Sequence, residues 1–283
     1  MYLNENSKSY NNVRRLNIWK RGRHELKNKL ILFFTAIIFI GLIAACGTDE
    51  ASGDGDGETY TVATDSNFQP FEYKNPDTGE MEGFDIELIE AIAEESGFNV
   101  EFETMEFDGL LASMRTSKND IGIAGISITE ERKEFIDFSD KYYDSGLILA
   151  VPVDSDIESI DDVDGLTVGS RQGSTSNDYL KDNTDADVEA YPEIVTAYMD
   201  LERGRLDAVL YDLPNVQYYI SENASDKLKT VGDVMEGQPY GIALPKGSDL
   251  VDPVNEGLAA IKENGTYAEI YEKWFGTQPP ETE

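Results

Sequence analysis

Ile121-Gly122-Ile123-Ala124-Gly125-Ile126-Ser127-Ile128-Thr129-Glu130-Glu131-Arg132 carries the reading of the fold. Its first part, Ile121–Ile126, is a short uncharged run of the kind that is buried as a sheet strand. Thr129 then stands where a helix N-cap belongs, and Glu130 and Glu131 place negative charge in the first turn, where the helix dipole favours it. The same strand-to-helix alternation extends outward from this stretch. Upstream, Tyr60–Thr64 reads as a strand, and Phe71–Phe84 as a polar excursion turning at Pro76-Asp77-Thr78-Gly79. Phe84, Leu88, Ile89 and Ile92 share a helical face that stops at Gly97. Val100, Phe102 and Thr104 alternate as a strand, and Leu110, Leu111 and Met114 mark another helix. Downstream come strands at Leu166–Ser170 and Asp207–Tyr211, with helices near Asn177–Lys181, at Ile194–Arg203 and near Pro214–Glu222. Two helices broken at Gly265 fill Asp249–Phe275. Such alternation implies an α/β fold with largely parallel sheets flanked by helices.

The N-terminal part does not belong to that fold. Residues 1–29 are polar and basic, Leu30 to Ala45 carry no charge, and Ile43-Ala44-Ala45 lead into Cys46, the only cysteine. Small residues closing an apolar run on a cysteine mark a secretory signal with a lipobox, so residues 1–45 are expected to be removed and Cys46 to carry diacylglycerol. An apolar run of this length almost spans a bilayer at ~1.5 Å per residue, but the small residues meeting the single cysteine argue against an uncleaved anchor. Residues 46–58 read as an acidic, flexible tether, and Asp54-Gly55-Asp56 lacks the glycine and glutamate spacing of a calcium loop.

Cleavage would leave 15 basic and 54 acidic side chains, a net charge of −39. So negative a surface repels nucleic acid and anionic headgroups, and no basic patch remains to bind them. His24, the only histidine, leaves with the signal. The mature chain would then lack the means for Ser–His or Cys–His catalysis, His-ligated metal and disulfides. No cofactor or metal is expected. The acidic run Asp154–Asp164 matches no calcium spacing and reads as a solvated face.

In a mostly parallel sheet, ligands sit beyond the carboxyl ends of the strands. Asp65 follows Val62-Ala63-Thr64, Arg171 follows Val168-Gly169-Ser170, and Asp212 follows Val209-Leu210-Tyr211. Arg132 lies one turn beyond Gly125-Ile126-Ser127. Each charge alone could cap a helix or sit in a solvated loop. Together with Phe68 and Phe107 they suit a zwitterion, with a guanidinium for a carboxylate, a carboxylate for an ammonium, and aromatic faces for an aliphatic stem.

The run Ala63-Thr64-Asp65-Ser66-Asn67-Phe68-Gln69-Pro70-Phe71 resembles the opening of the polar amino-acid binding proteins of ABC transporters. Gly83-Phe84-Asp85-Ile86-Glu87-Leu88, Ala124 to Arg132, Asp137-Phe138-Ser139, Asp207 to Asp212, Glu263-Asn264-Gly265-Thr266-Tyr267 and Trp274-Phe275-Gly276 continue the likeness in register. Glutamine-binding proteins look closest. The resemblance implies a two-lobed periplasmic-binding-protein fold of type II, each lobe a mixed, mostly parallel sheet flanked by helices. Lobe one would be residues 59–142 with 241–283, lobe two 147–235, and the hinges would lie near 142–146 and 236–240.

It further implies that Arg132, with Ser127 and backbone near Gly125, grips an α-carboxylate and that Asp212 takes an α-ammonium. Phe68 and Phe107 would form aromatic walls, Asp65 and Arg171 would face the side chain, and Thr175 would also belong to the ligand-binding set. The implied ligand is a polar L-amino acid, best glutamine. The implied partners are a permease with its ATPase subunits, and the protein itself would be a lipid-anchored monomer on the outer face of the cytoplasmic membrane. Arg171 stands where glutamine binders carry lysine, Tyr211 where they carry histidine, and Thr175 where they carry glycine. A dehydratase on the same fold would need a buried carboxylate as general acid. A sensory module would differ only in its partner.

Overall fold

Thirteen strands and eight α-helices emerge among the described residues of the computed structural model, which are 57–237 and 239–280. Cys46, the signal segment and the start of the tether lie outside them. In chain order the strands are β1 (Thr59–Thr64), β2 (Asn67–Phe68), β3 (Glu72–Lys74), β4 (Met81–Glu82), β5 (Asn99–Thr104), β6 (Ile121–Gly122), β7 (Ile136–Phe138), β8 (Gly146–Pro152), β9 (Thr167–Arg171), β10 (Asp187–Tyr191), β11 (Ala208–Asp212), β12 (Leu228–Glu236) and β13 (Ala243–Pro245). The helices are α1 (Phe84–Ser96), α2 (Phe107–Arg115), α3 (Glu130–Lys133), α4 (Thr175–Asn183), α5 (Ile194–Glu202), α6 (Leu213–Tyr219), α7 (Val251–Asn264) and α8 (Thr266–Phe275).

Two five-stranded sheets define two lobes. The first has the order β5-β1-β6-β13-β7 and the second β10-β9-β11-β8-β12. In each, four strands run one way and a single strand opposes them. The opposed strand is the one by which the chain arrives from the other lobe, β8 in the second sheet and β13 in the first. The chain crosses between Phe138 and Gly146 and returns between Glu236 and Ala243. The crossovers bond to each other, Tyr142 N–H donating to Tyr240 O and Tyr240 N–H to Tyr143 O, both at 2.9 Å. They rest on packed rings: Tyr143 stacks on Tyr240 at 5.6 Å and on Tyr271 at 5.9 Å, and Phe71 meets Tyr240 edge-on at 5.4 Å.

Three departures from the sequence reading have local causes. The strand expected over Ile121–Ile126 leaves its ladder after Gly122, although Ile123, Ala124 and Ile126 stay buried. Gly125 adopts φ +53°, and its N–H turns to Asp85 Oδ2 at 2.9 Å. A Cβ there would lie 2.4 Å from the Phe68 ring, so glycine is required for both backbone and space. The polar excursion is a small antiparallel sheet, β2-β3-β4, whose turn is held by the Asn75 side chain accepting from Asp77 and Thr78 N–H. Helix α6 passes into a π-turn over Ile220–Ala224, where an unbroken helix was expected.

Candidate functional site

Each of the four charged residues falls at the edge where the two lobes meet. Asp65 follows β1, Arg171 ends β9, Asp212 ends β11, and Arg132 lies in α3. Thr129 caps α3 as its sequence implies, its Oγ1 accepting from Arg132 N–H at 3.1 Å. Neither Asp65 nor Asp212 spends its carboxylate as a helix cap: α6 begins at Asp212 without a side-chain bond, and Asp65 accepts from Ser66 N–H. All four are at most 6% exposed.

Asp65 of the first lobe and Arg171 of the second form a direct ion pair, each side chain 1% exposed. The Arg171 guanidinium also reaches Pro192 O at 3.4 Å and Tyr211 Oη at 3.5 Å. Phe107, the first residue of α2, lies between two cations, Arg171 at 5.0 Å and Arg132 at 5.5 Å from its ring centre. Arg132 donates to Ser127 O within its own lobe at 2.8 Å and to Gly173 O across the cleft at 3.0 Å. Asp212 accepts from Tyr240 O–H. Burial pushes the Asp212 carboxyl up to about 6, while Tyr240, Arg132 and Arg171 pull it back down. Phe68 is buried, edge-on to Tyr211 at 5.8 Å and stacked on Phe71 at 5.1 Å.

Five of the expected residues therefore converge through direct contacts, Asp65, Arg171, Phe107, Arg132 and Ser127, while Phe68, packed against Gly125, reaches Arg171 through Tyr211. Asp212 joins them through the charges of both arginines. Thr175, half-buried at the start of α4, lines a cavity of about 500 Å³ between the lobes. Arg132 borders it too, together with Asp108, Arg115, Glu131 and Asp178.

Four participants escaped the sequence reading. Tyr240 and Ser145 come from the crossovers, Asn215 Nδ2 donates across the cleft to Gln69 O at 2.6 Å, and Gln172 bonds Asp108 across the same cleft. Uncharged residues in a crossover, a loop or the first turn of α6 carry no sequence signal of this kind. The topology alone brings them to the site. Tyr198 is buried with its hydroxyl donating to Asn215 Oδ1 at 2.8 Å. Among the described residues no group of three His, Cys, Asp or Glu side chains is placed to hold a metal ion.

Residues 60–277 match the family described as bacterial extracellular solute-binding proteins, family 3. The chain is 32% identical to the L-cystine-binding protein TcyA of Bacillus subtilis, the match covering 88% of this chain and 97% of TcyA. It is 30% identical to the ABC transporter glutamine-binding protein GlnH of the same organism, over 90% of this chain and all of GlnH. Among solved structures, an ancestral arginine-binding protein bound to glutamine is 40% identical with a TM-score of 0.73. That likeness covers 77% of this chain and 98% of the ancestral one, which has also been solved with arginine.

Proposed function

Because this chain belongs to family 3 of the bacterial extracellular solute-binding proteins, we propose that it captures one polar L-amino acid, glutamine first, and hands it to an ABC importer. The family binds small amino-acid ligands outside the cytoplasm and works with ABC transporters.

The balance of buried charge carries the proposal. Two guanidiniums, Arg132 and Arg171, face two carboxylates, Asp65 and Asp212, all nearly inaccessible to water. A ligand without net charge keeps that balance. Arg132 has five N–H donors and gives two of its nitrogens to the Ser127 and Gly173 carbonyls, which leaves donors for an α-carboxylate. Asp212 would take the α-ammonium, and Phe68 and Phe107 would flank the stem. The Asp65–Arg171 pair offers one acceptor and one donor, which a side-chain amide matches with its NH2 and its carbonyl. Glutamate would add a carboxylate against Asp65, and arginine or lysine a cation against Arg171. Each leaves a buried charge opposed, which penalises the wrong ligand.

Competition calorimetry on the full chain with glutamine, glutamate, asparagine, histidine, arginine, lysine and cystine tests the proposal. Glutamine should bind tightest. If arginine or lysine wins by about tenfold or more, the Asp65–Arg171 end does not read an amide. For the anchor, Cys46→Ser should leave the protein unprocessed or release it from membranes. Cys46→Ser protein that is cleaved normally and still sediments with membranes would refute lipidation.

A further inference from the structure

Asp212 ends a strand of the second lobe, yet the group that fixes its carboxylate belongs to neither lobe. Tyr240 on the returning crossover donates its O–H to Asp212 Oδ2, and the same hydroxyl accepts from Ser145 Oγ on the outgoing crossover at 3.0 Å. Each hydroxyl has one proton to give, so the chain runs in one direction, Ser145 to Tyr240 to Asp212. Burial and the Asp212 charge hold the Tyr240 phenol well above its ordinary range, which keeps it protonated and a donor.

The Tyr240 ring has little freedom to follow a carboxylate that moves. It is fully buried, stacked on Tyr143 at 5.6 Å, and edge-on to Phe71 at 5.4 Å and Phe68 at 6.3 Å. Its backbone is bonded to Tyr142 and Tyr143 of the other crossover. A shift of either crossover therefore moves the donor relative to Asp212. The other groups facing this carboxylate are Arg132 from α3, Arg171 from β9, Tyr211 from its own strand and Tyr198 from α5.

We infer that Tyr240, backed by Ser145, is the positioning residue for the ammonium-binding carboxylate, and that it ties the state of Asp212 to the geometry of the hinge. The inference rests on the reading of Asp212 given under the proposed function. Through it both crossovers reach the ligand site by one hydrogen-bonded line, so opening the hinge and releasing the ammonium become a single event.

The test follows the Asp212 carboxyl carbon by NMR across pH in the full-length protein without added amino acid. Tyr240→Phe keeps the ring and its packing but removes the donor, and should raise the Asp212 midpoint by about one unit. Ser145→Ala should raise it by less. An unmoved midpoint in Tyr240→Phe overturns the inference, and if that variant fails to fold, an unmoved midpoint in Ser145→Ala does so. A second measurement compares L-glutamine affinity at pH 8 and pH 5.5. The ratio should grow by roughly sevenfold in Tyr240→Phe, as a one-unit rise in midpoint requires. An equal loss at both pH values would mean a structural role only and would overturn the inference. Asp212→Asn separates this inference from the reading beneath it. If that variant binds like wild type while Tyr240→Phe still moves the Asp212 midpoint, the hydrogen-bonded line stands and the ammonium assignment falls.

Discussion

Arg132 and Asp212 at one end of the cleft, and Asp65 and Arg171 at the other, are all buried but differently partnered. Arg132 rests on two backbone carbonyls and Asp212 on a phenol, so each keeps its charge without a direct ionic partner. Asp65 and Arg171 are paired with each other and cancel. A buried charge held by neutral dipoles still attracts an opposite charge, whereas a buried pair presents a donor and an acceptor and little net field. One end is therefore suited to a zwitterion and the other to a dipole. Under the proposed function, the four residues would give one cleft two kinds of recognition.

The largest loss of binding should follow from truncating Arg132. Truncating one partner of a buried charge contact costs roughly 2–5 kcal/mol. Arg132→Ala should therefore bind the amino acid at least about thirtyfold more weakly by calorimetry. A loss below about threefold would place the ligand carboxylate elsewhere.

Protonation sharpens the same end. Asp212, raised to about 6, becomes neutral as the pH falls through that value, and affinity should drop by about tenfold between pH 7 and pH 5. The stability of the unliganded protein should move the opposite way. Burial raises Glu72 well above the usual carboxylate range and Asp85 to about 7, in addition to Asp212. Groups raised by folding stabilise the fold at low pH and lose that contribution as the pH rises through their folded values. Over the window from pH 5 to pH 8 the loss should lower the melting temperature by about 5 °C or more in a thermal scan. A melting temperature that rises from pH 5 to pH 8 would refute the protonated state of the buried carboxyls.

The smallest effect belongs to the paired end. Asp65→Asn removes the carboxylate that would repel glutamate and leaves Arg171 without its counter-charge. The preference for glutamine over glutamate should shrink by about fivefold in competition calorimetry. An unchanged ratio would show that the pair does not face the ligand side chain.

Much of this molecule is legible along the chain because its causes are local. The face of Phe84, Leu88, Ile89 and Ile92, the cap at Thr129 and the break at Gly265 each depend on residues within about one helical turn. So does the placement of a charge just past a strand, which marked Asp65, Arg171 and Asp212 as candidates. Strands β10 and β12 were not legible. They are sheet edges, largely polar and exposed, and their pairing comes from neighbours far along the chain. Strand β8, apolar throughout, was not singled out as a strand, since nothing local states that it enters the interior of the second sheet in reverse.

The chain alone carries an α/β alternation, an acidic composition with one cysteine and one histidine, and three charges at strand ends with a fourth one turn beyond, a set suited to a zwitterion. Only the tertiary structure decided which charges cancel and which stand alone. In sequence, Asp65 and Asp212 look alike, each a carboxylate closing a short apolar run. Sheet order and the two crossovers set one against Arg171 and the other against Tyr240. Local periodicity is settled by contacts a few residues apart. The partner of a buried charge is settled by which strand ends the fold brings face to face, and no pattern along the chain encodes that distance.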